Sequence, residues 1–217
     1  MMRAVVFDMD GLMFNTEDVY TLVGSQMLAR RGHTFTAELK NKMMGLRPQP
    51  TFEAMIGHCG LSDTWEQLAC ESNRLFVELL HDHLATMPGL LDLLDALEQA
   101  DIPKAIGTSS SRKLVEECLQ PFKLQERFQF VLAAEDITHG KPHPEIYLTA
   151  ARRFGVPPQE MAVLEDSQNG CLAAVAAGAF AVAVPAEHSR THDFRRASLV
   201  VESLADRRLY EALGLPR

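Results

Sequence analysis

Near its N-terminus the chain reads Ala4-Val5-Val6-Phe7-Asp8-Met9-Asp10-Gly11, an apolar run followed at once by two aspartates and a glycine. The run predicts a buried strand, and carboxylates at the end of such a strand are costly unless they are paired, hydrogen-bonded or bound to a metal. If the strand continues, the spacing of two points both aspartates to one face, and Gly11 permits a sharp turn directly afterwards. The stretch therefore indicates either a metal-assisted site, in which one carboxylate attacks phosphorus and the other moves protons, or a surface turn with two solvated acids.

Size and composition predict an ordinary globular protein with one core domain and a smaller one. The chain has 217 residues, of which 47% are apolar and 23% charged, unlike disordered or fibrous proteins. The formal net charge is −8 and there is no basic run, so we expect no nucleic-acid partner. A phosphorylated substrate is compatible with this charge if local lysines, arginines and a metal reverse its sign within the site.

The cysteines and the apolar segments bear on the compartment. The four cysteines are scattered and include no Cys-x-x-Cys pair, which favours a reducing cytoplasm. Because Asp8 and Asp10 interrupt the apolar start, we expect no export signal. The alanine-rich stretch 171–186 is short for a membrane span and is interrupted by Gly178 and Pro185. We interpret it as a buried helix followed by a buried strand, and expect a cytoplasmic protein without membrane association.

Short apolar runs alternate with segments of helical spacing along most of the chain. The runs comprise residues 4–7, 102–107, 130–134, 161–164 and 180–184. Each run predicts a buried strand, and the alternation predicts an α/β fold with a parallel sheet covered by helices on both faces. Because ligands of such sheets bind outside the carboxyl ends of the strands, the residues directly after each run are candidates for the site.

One region, from about residue 15 to 83, has helical patterns and no convincing strand. It predicts a helical cap domain over residues 15–85, inserted into a core domain formed by residues 1–14 and 86–217. The insertion point directly after the first strand predicts two chain crossings that tether the cap over the end of that strand, as in a lid. The alternative is a helical bundle that packs passively against the core.

Polar clusters follow three of the other predicted strands. Thr108-Ser109-Ser110-Ser111 precedes a helix that starts near Arg112, and its hydroxyls and N–H groups are suited either to an anion or to capping the helix. In Gly140-Lys141-Pro142-His143-Pro144, prolines stiffen a lysine that suits a phosphate, the alternative being a solvated loop lysine. Glu165-Asp166-Ser167 adds a second acidic pair, and two such pairs at neighbouring strand ends form an oxygen-rich site for Mg²⁺.

These four motifs together resemble those of the haloacid dehalogenase superfamily. Asp8-Met9-Asp10-Gly11, Thr108, Lys141 and Glu165-Asp166-Ser167 occur in the order and at the approximate separations of that family, and the resemblance covers nearly the full length. It is closest to the branch of β-phosphoglucomutases and sugar-phosphate phosphatases. The resemblance implies a Rossmann-like core with strand order 5-4-1-2-3 and a helical cap inserted after the first motif.

The resemblance also implies a role for each motif residue. Asp8 is expected to be the nucleophile that becomes an aspartyl phosphate. Asp10 is expected to protonate the leaving oxygen as general acid and then to act as base toward water. Thr108 and the N–H of Ser109 would hold phosphoryl oxygens, and Lys141 would neutralise charge on the phosphate and on Asp8. These roles suit phosphoryl transfer, which depends on positioning and charge stabilisation.

By the same resemblance, the cofactor is Mg²⁺. It is expected between the Asp8 carboxylate, the backbone carbonyl of Asp10 and Asp166, with Glu165 as a ligand either directly or through water. A carboxylate is a poor nucleophile toward a phosphate dianion, and the cation together with Lys141 would offset that repulsion.

Within the superfamily the motifs favour a phosphatase. Asp10 and the acidic fourth motif count against the dehalogenase and phosphonate-cleaving branches. Mutases place a histidine four residues beyond the hinge threonine, and the position corresponding to it after Thr16 is Tyr20. We therefore predict a Mg²⁺-dependent phosphatase acting on a small phosphorylated metabolite, with a sugar phosphate as the expected class. The alternatives are a β-phosphoglucomutase-type mutase and, from another class, a non-catalytic phosphometabolite-binding protein, against which the retained Asp8 and Asp10 count.

Five further residues are candidates for contacting the substrate. Glu17 and Tyr20 lie in the predicted hinge, Arg47 lies in the cap, and Ser110 and Arg112 are placed to hold a distal phosphate. A solvated charge at a helix end is the alternative for Arg47, and capping of the following helix is the alternative within the cluster that contains Ser110. The oligomeric state stays open, and a monomer is compatible with every role above.

Histidine pairs raise the possibility of zinc. His188 and His192 are at helical spacing, and His81-Asp82-His83 forms another group. Zinc sites need a third placed ligand, so we interpret these histidines as surface residues.

Overall fold

Six parallel strands form the central sheet of the computed structural model, which describes residues 2–43 and 48–216. Across the sheet their order is β3-β2-β1-β4-β5-β6. The predicted α/β fold and strand order are confirmed, with β6 added beyond β5. The strands are β1 (Ala4–Phe7), β2 (Lys104–Gly107), β3 (Val131–Leu132), β4 (Met161–Glu165), β5 (Phe180–Ala183) and β6 (Leu199–Val200).

The register of the sheet decides which residues meet at its carboxyl edge. Phe7, the last residue of β1, pairs with Ile106 of β2 on one side and with Leu164 of β4 on the other. The N–H of Asp8 donates to the carbonyl of Leu164 at 3.0 Å. The residues that follow these three strands therefore lie side by side at one edge of the sheet.

Five helices accompany the sheet within the described part of the larger unit. Helices α7 and α8 pack against each other and against the sheet. Helix α7 buries Ile146, Tyr147 and Ala150, which recur at helical spacing, whereas α8 packs through small alanines. Strands β1 and β4 are buried along their whole length, which explains why their sequences are apolar rather than alternating, except for Glu165 at the end of β4. The helices are α5 (Leu90–Gln99), α6 (Arg112–Leu119), α7 (Glu145–Phe154), α8 (Gln168–Ala177) and α9 (Arg207–Leu213).

The chain divides into two compact units, residues 1–15 with 85–217 and residues 16–84. The described residues of the smaller unit form four helices and no strand. Helix α1 packs against α4, and α3 contacts both α2 and α4. Thr64 caps α4 in a capping box with Gln67, and Arg31 forms ion pairs with Asp63 and Glu71, both at 2.7 Å. The helices are α1 (Thr16–Ala29), α2 (Ala37–Met43), α3 (Pro48–Cys59) and α4 (Trp65–His83).

The alanine-rich segment has the local structure that its sequence predicts. All four cysteines are free, and Cys118 and Cys171 are buried. The alanine-rich segment forms most of α8 and then β5. Among the helices of the described residues, none combines the length and apolarity that a membrane span requires.

Candidate active site

The predicted motif residues meet at the carboxyl edge of the sheet. Asp8 directly follows β1, Thr108 follows β2, and Glu165 and Asp166 lie at the end of β4. All four are buried. Parallel pairing of three adjacent strands brings them together although they are far apart in the sequence.

Lys141 joins the acidic residues of two strands. Its Nζ donates to Oδ1 of Asp8 at 2.5 Å, to Oε1 of Glu165 at 2.6 Å and to the carbonyl oxygen of Gly107 at 3.0 Å. The ammonium group also lies 5.3 Å from the centre of the Tyr147 ring. Lys141 is therefore a buried ammonium shared by two carboxylates rather than a solvated loop lysine.

Burial and charge shift the pKa values of this cluster. Burial raises the pKa of Asp8 well above its usual value, although the charge of Lys141 opposes this effect. Burial alone lowers the pKa of Lys141, but the charges of Asp8 and Glu165 outweigh it and raise that pKa well above its usual value. Burial raises the pKa of Asp166 to about 6, opposed by a hydrogen bond with His188. The carboxylates of the cluster thus carry more negative charge than a single lysine can neutralise.

The donor set fits a hard divalent cation. Asp8, Glu165 and Asp166 each offer one oxygen, and these oxygens lie within 4.8 Å of one another. Carboxylate oxygens are the ligands that Mg²⁺ prefers, and a divalent ion would supply the missing positive charge.

Glu165 has a further role that the sequence interpretation did not include. Its Oε1 accepts hydrogen bonds from Lys141 and from the Tyr147 hydroxyl, and its Oε2 accepts one from Ser167 at 3.0 Å. Gly170 makes room for it, because a Cβ atom there would lie 1.8 Å from Cδ of Glu165. Glu165 therefore holds Lys141 in place, and its predicted contact with a metal stays a prediction.

Asp10 is held by the turn that follows β2. Its Oδ2 accepts hydrogen bonds from Thr108 Oγ1 at 3.2 Å and from Ser110 Oγ at 2.6 Å, and the N–H of Ser110 donates to Thr108 Oγ1 at 3.0 Å. Oδ1 of Asp10 is buried and has no hydrogen-bond partner among the described residues. Ser110 thus contacts Asp10, and its predicted contact with a distal phosphate stays a prediction. Ser109 is exposed on the same turn.

Comparisons with known proteins identify the family to which this arrangement belongs. Residues 5–184 match the model of the haloacid dehalogenase-like hydrolases. The chain belongs to this family. A Drosophila melanogaster protein named "Probable pseudouridine-5'-phosphatase" is 37% identical over 217 residues, which cover 97% of this chain and 93% of that protein. The "Phosphorylated carbohydrates phosphatase" of Thermotoga maritima is 30% identical, with 82% of each chain covered.

A solved structure of the same family has the same fold. CbbY from Rhodobacter sphaeroides, in complex with phosphate, superimposes with a TM-score of 0.81 at 27% identity and covers 95% of this chain and 96% of its own. The family match and the relatives named as phosphatases identify this hydrolase as a phosphomonoester hydrolase.

The start of α6 in this hydrolase is occupied by its own side chains. Ser111 is the N-cap, and its hydroxyl accepts from the N–H of Leu114 at 3.3 Å. The N–H of Arg112 donates to the carboxylate of Glu135, and its guanidinium pairs with Asp136. Protein side chains therefore occupy these two N–H groups at the helix start. The predicted phosphate contacts of Thr108 and Ser109, and the predicted substrate contact of Arg112, stay predictions.

The cap candidates of the hydrolase lie in its helical unit. Glu17 and Tyr20 line a cavity of about 340 Å³ inside that unit, and the Tyr20 ring packs against Phe76 with centroids 4.3 Å apart. Apolar side chains form much of the wall of this cavity, among them Val23, Met27, Phe52 and Met55. Arg47 lies outside the described residues. The roles of these three residues in binding substrate stay predictions.

Glu145 braces the segment that carries Lys141. Its carboxylate accepts from the backbone N–H groups of Thr138 at 2.8 Å and His139 at 2.9 Å, and contacts Nδ1 of His139 at 2.8 Å. Hydrogen bonds from these backbone groups and from the His139 ring lower the pKa of Glu145 to about 2. The loop on the hydrolase surface is thus tied to the first residue of α7, which limits the movement of the lysine.

The interpretation of His188 as a surface residue is wrong. Its side chain is only 12% exposed, and its Nε2 lies 2.6 Å from Oδ2 of Asp166. The neighbouring His192 accepts a hydrogen bond from the N–H of Gln168 through Nδ1 at 3.4 Å. The loop after β5 carries no motif that would indicate this contact, which arises only because β5 lies next to β4.

Proposed function

We propose that this protein is a Mg²⁺-dependent phosphatase that hydrolyses a small phosphorylated metabolite of the sugar-phosphate class through an aspartyl phosphate on Asp8. The observation that carries the proposal is the buried Asp8 carboxylate at 2.5 Å from the Lys141 ammonium, within a cluster of acids. A structural ion pair would not need the second aspartate, Asp10, placed two residues later with one oxygen unpartnered among the described residues. The relative named for phosphorylated carbohydrates supports the substrate class.

In the first step an oxygen of Asp8 attacks phosphorus, and the bond between phosphorus and the ester oxygen breaks. Asp10 donates its proton to the leaving oxygen, and the alcohol departs. Lys141 offsets negative charge at Asp8 and at the phosphoryl oxygens, and the hydroxyl of Thr108 and the N–H of Ser109 orient those oxygens.

In the second step water attacks the phosphorus of the aspartyl phosphate. Asp10, now ionised, takes a proton from that water, the bond between phosphorus and the Asp8 oxygen breaks, and inorganic phosphate leaves. Ser110 holds Oδ2 of Asp10 through a hydrogen bond of 2.6 Å, and the one hydroxyl hydrogen of Thr108 is then left for a phosphoryl oxygen. Oδ1 of Asp10 is left to exchange the proton in both steps.

Asp8, Asp166, the carbonyl of Asp10 and Glu165 would hold the Mg²⁺ ion. When bound, the ion supplies positive charge that lowers the repulsion between a phosphate dianion and a carboxylate nucleophile. The three buried carboxylates and the single lysine of this cluster are consistent with such a need.

The decisive experiment measures phosphate release by the wild type and by Asp8→Asn. Sugar phosphates and polyol phosphates are assayed with Mg²⁺ and with a chelator. We expect Asp8→Asn to lower kcat by about 10³-fold or more, since the nucleophile is lost. Asp92→Asn, the same change at an exposed residue of α5, is the matched control. Undiminished turnover by Asp8→Asn would exclude the proposed nucleophile.

Product analysis separates the phosphatase from a mutase, which would share the first step. The panel includes β-glucose 1-phosphate with a trace of the bisphosphate, and both free phosphate and glucose 6-phosphate are measured. We expect free phosphate; isomerised sugar without phosphate release would favour the mutase.

A second variant tests the proton carrier. Asp10→Ala should still form a phosphoenzyme from an activated ester, whose leaving group needs no acid, and should then hydrolyse it slowly. Intact-mass measurements over time follow the phosphoenzyme. Hydrolysis at the wild-type rate would remove Asp10 from the role of base.

A further inference from the structure

His188 contacts the acidic cluster of Asp8, Glu165 and Asp166. It lies on a loop outside the four sequence motifs described above. Its Nε2 lies 2.6 Å from Oδ2 of Asp166, and both side chains are largely buried, with 12% and 5% exposed. An ionised carboxylate can only accept, so next to an ionised Asp166 the hydrogen is on Nε2 of His188 and the imidazole is the donor.

The loop of His188 is fixed by its own hydrogen bonds. The hydroxyl of the buried Ser189 accepts from the N–H of Ala186 at 3.1 Å, within a single turn of 3-10 helix. His192 then links the loop to the start of α8 through the N–H of Gln168 at 3.4 Å. His188 is therefore presented by an ordered turn, and its contact with the aspartate does not have to offset the entropy of ordering the loop backbone.

Gly11 gives His188 its place beside the first motif. A Cβ atom on Gly11 would lie 2.5 Å from Oδ2 of Asp166 and 2.8 Å from Cε1 of His188. The absence of a side chain at Gly11 thus lets the imidazole and the Asp166 carboxylate pack against the turn that follows Asp10. The histidine thus contacts Asp166 of one acidic motif and lies beside the turn of the other.

We propose that His188 is a positioning residue for the divalent-cation site: by donating from Nε2 to Oδ2 of Asp166, it sets the orientation of that carboxylate and leaves Oδ1 for the cation. The inference rests on the proposed function, because it assumes that the cluster binds Mg²⁺. Carboxylate ligands of metals are commonly oriented by hydrogen bonds from residues that do not touch the metal, and the loss of such a partner weakens metal affinity.

Two substitutions separate the hydrogen bond from the rest of the imidazole. In His188→Gln the side-chain amide can reach the position of Nε2 and still donate to Asp166. In His188→Asn the same amide group is one carbon shorter and cannot reach. His192→Asn is the matched control on the same loop, because the asparagine oxygen can take the place of Nδ1 and keep the hydrogen bond from the N–H of Gln168.

Mg²⁺ binding to the 217-residue chain is measured by titration calorimetry and, with Mn²⁺ as probe, by electron paramagnetic resonance. We expect His188→Asn to raise the Kd about 10- to 100-fold, and His188→Gln and His192→Asn to stay within about threefold of the wild type. Thermal unfolding with and without Mg²⁺ is the second readout. Loss of positioning lowers the Mg²⁺-dependent increase in Tm, whereas simple loosening of the loop lowers Tm equally in both conditions.

Three results would overturn the inference: wild-type or tighter Mg²⁺ affinity in His188→Asn, equal losses in the glutamine and asparagine variants, or no Mg²⁺ binding by the wild type. The proposed function fails separately. If His188→Asn binds Mg²⁺ normally while the wild type releases phosphate through Asp8, only the role of His188 is wrong. If Mg²⁺ affinity depends on His188 but no phosphate ester is hydrolysed, only the proposed function is wrong.

Discussion

Replacing Lys141 by methionine would remove the positive charge that Asp8 and Glu165 share. The ammonium nitrogen lies 2.5 Å from one carboxylate and 2.6 Å from the other, and the three side chains are only 7%, 9% and 1% exposed. Methionine has a similar length and leaves little empty volume. The substitution therefore tests the charge with little change in packing.

The expected loss of stability in Lys141→Met follows from the burial of the remaining acids. Removing one partner of a buried ion pair costs about 3–5 kcal/mol, because the other charge stays buried without compensation. Here two carboxylates are left, and protonation of one of them limits the cost to that range. We expect Lys141→Met to lower the free energy of unfolding by about 3–5 kcal/mol at pH 7 without Mg²⁺.

The loss of stability caused by Lys141→Met should be smaller at lower pH. Burial already raises the pKa of Asp8, and Lys141 opposes that effect; without the lysine the pKa rises further. A carboxyl group with a raised pKa in the folded state contributes most stability below its unfolded pKa, and that contribution is lost as the pH rises through the folded pKa. Lys141→Met should therefore be closer to wild-type stability at pH 5 than at pH 7.

Urea unfolding of a double-mutant cycle provides the assay. Glu165→Gln in the Lys141→Met background removes one uncompensated charge, so the two changes together should cost about 2 kcal/mol less than their sum. Lys104→Met is the matched control. Lys104 is equally buried at 6% exposure, but its partner Glu98 is 44% exposed and also pairs with Arg127. We expect Lys104→Met to lower the free energy of unfolding by less than about 1 kcal/mol. Equal costs for the two lysine variants, or additive effects in the cycle, would refute the reasoning.

Three further predictions concern neighbouring features. Gly170→Ala should destabilise the protein by about 3 kcal/mol in thermal unfolding, because the new Cβ would overlap Glu165. The control Gly57→Ala, which has open space around it in α3, should instead stabilise the protein by about 0.5–1 kcal/mol. Similar changes in stability for both variants would contradict this account. The pKa of Asp166, raised from 3.8 to about 6, means that the metal-free protein loses roughly 3 kcal/mol of stability as the pH rises through that range. Mg²⁺ should therefore raise Tm more at pH 7.5 than at pH 5, and a pH-independent increase would contradict this. Ser110→Ala removes a hydroxyl that orients the proton-transferring carboxylate and should lower kcat about tenfold with little change in KM, whereas a raised KM at constant kcat would assign Ser110 to substrate binding.

The sequence by itself determined the fold and the location of the acidic cluster. Apolar runs such as residues 4–7 report a strand buried on both faces, a property that each segment carries locally. A parallel sheet then requires the residues after the central strands to meet at one edge. Asp8, Thr108 and Asp166 could therefore be grouped from the sequence alone, with the strand order implied by the resemblance of their motifs to a known family.

Only the tertiary structure decided which side chains hold these residues in place. Ser110 contacts Asp10 across 100 positions, Lys141 contacts Glu165 across 24, and the partner of Asp166 lies 22 positions away at His188. Such pairings depend on strand order, on the path of a loop and on the space left by a glycine, and none of these is encoded in the spacing of neighbouring residues. The two aspartates after the first strand indicate a reactive site locally. The contact of Lys141 with Glu165 and the contact of His188 with Asp166 form only where the chain folds back on itself.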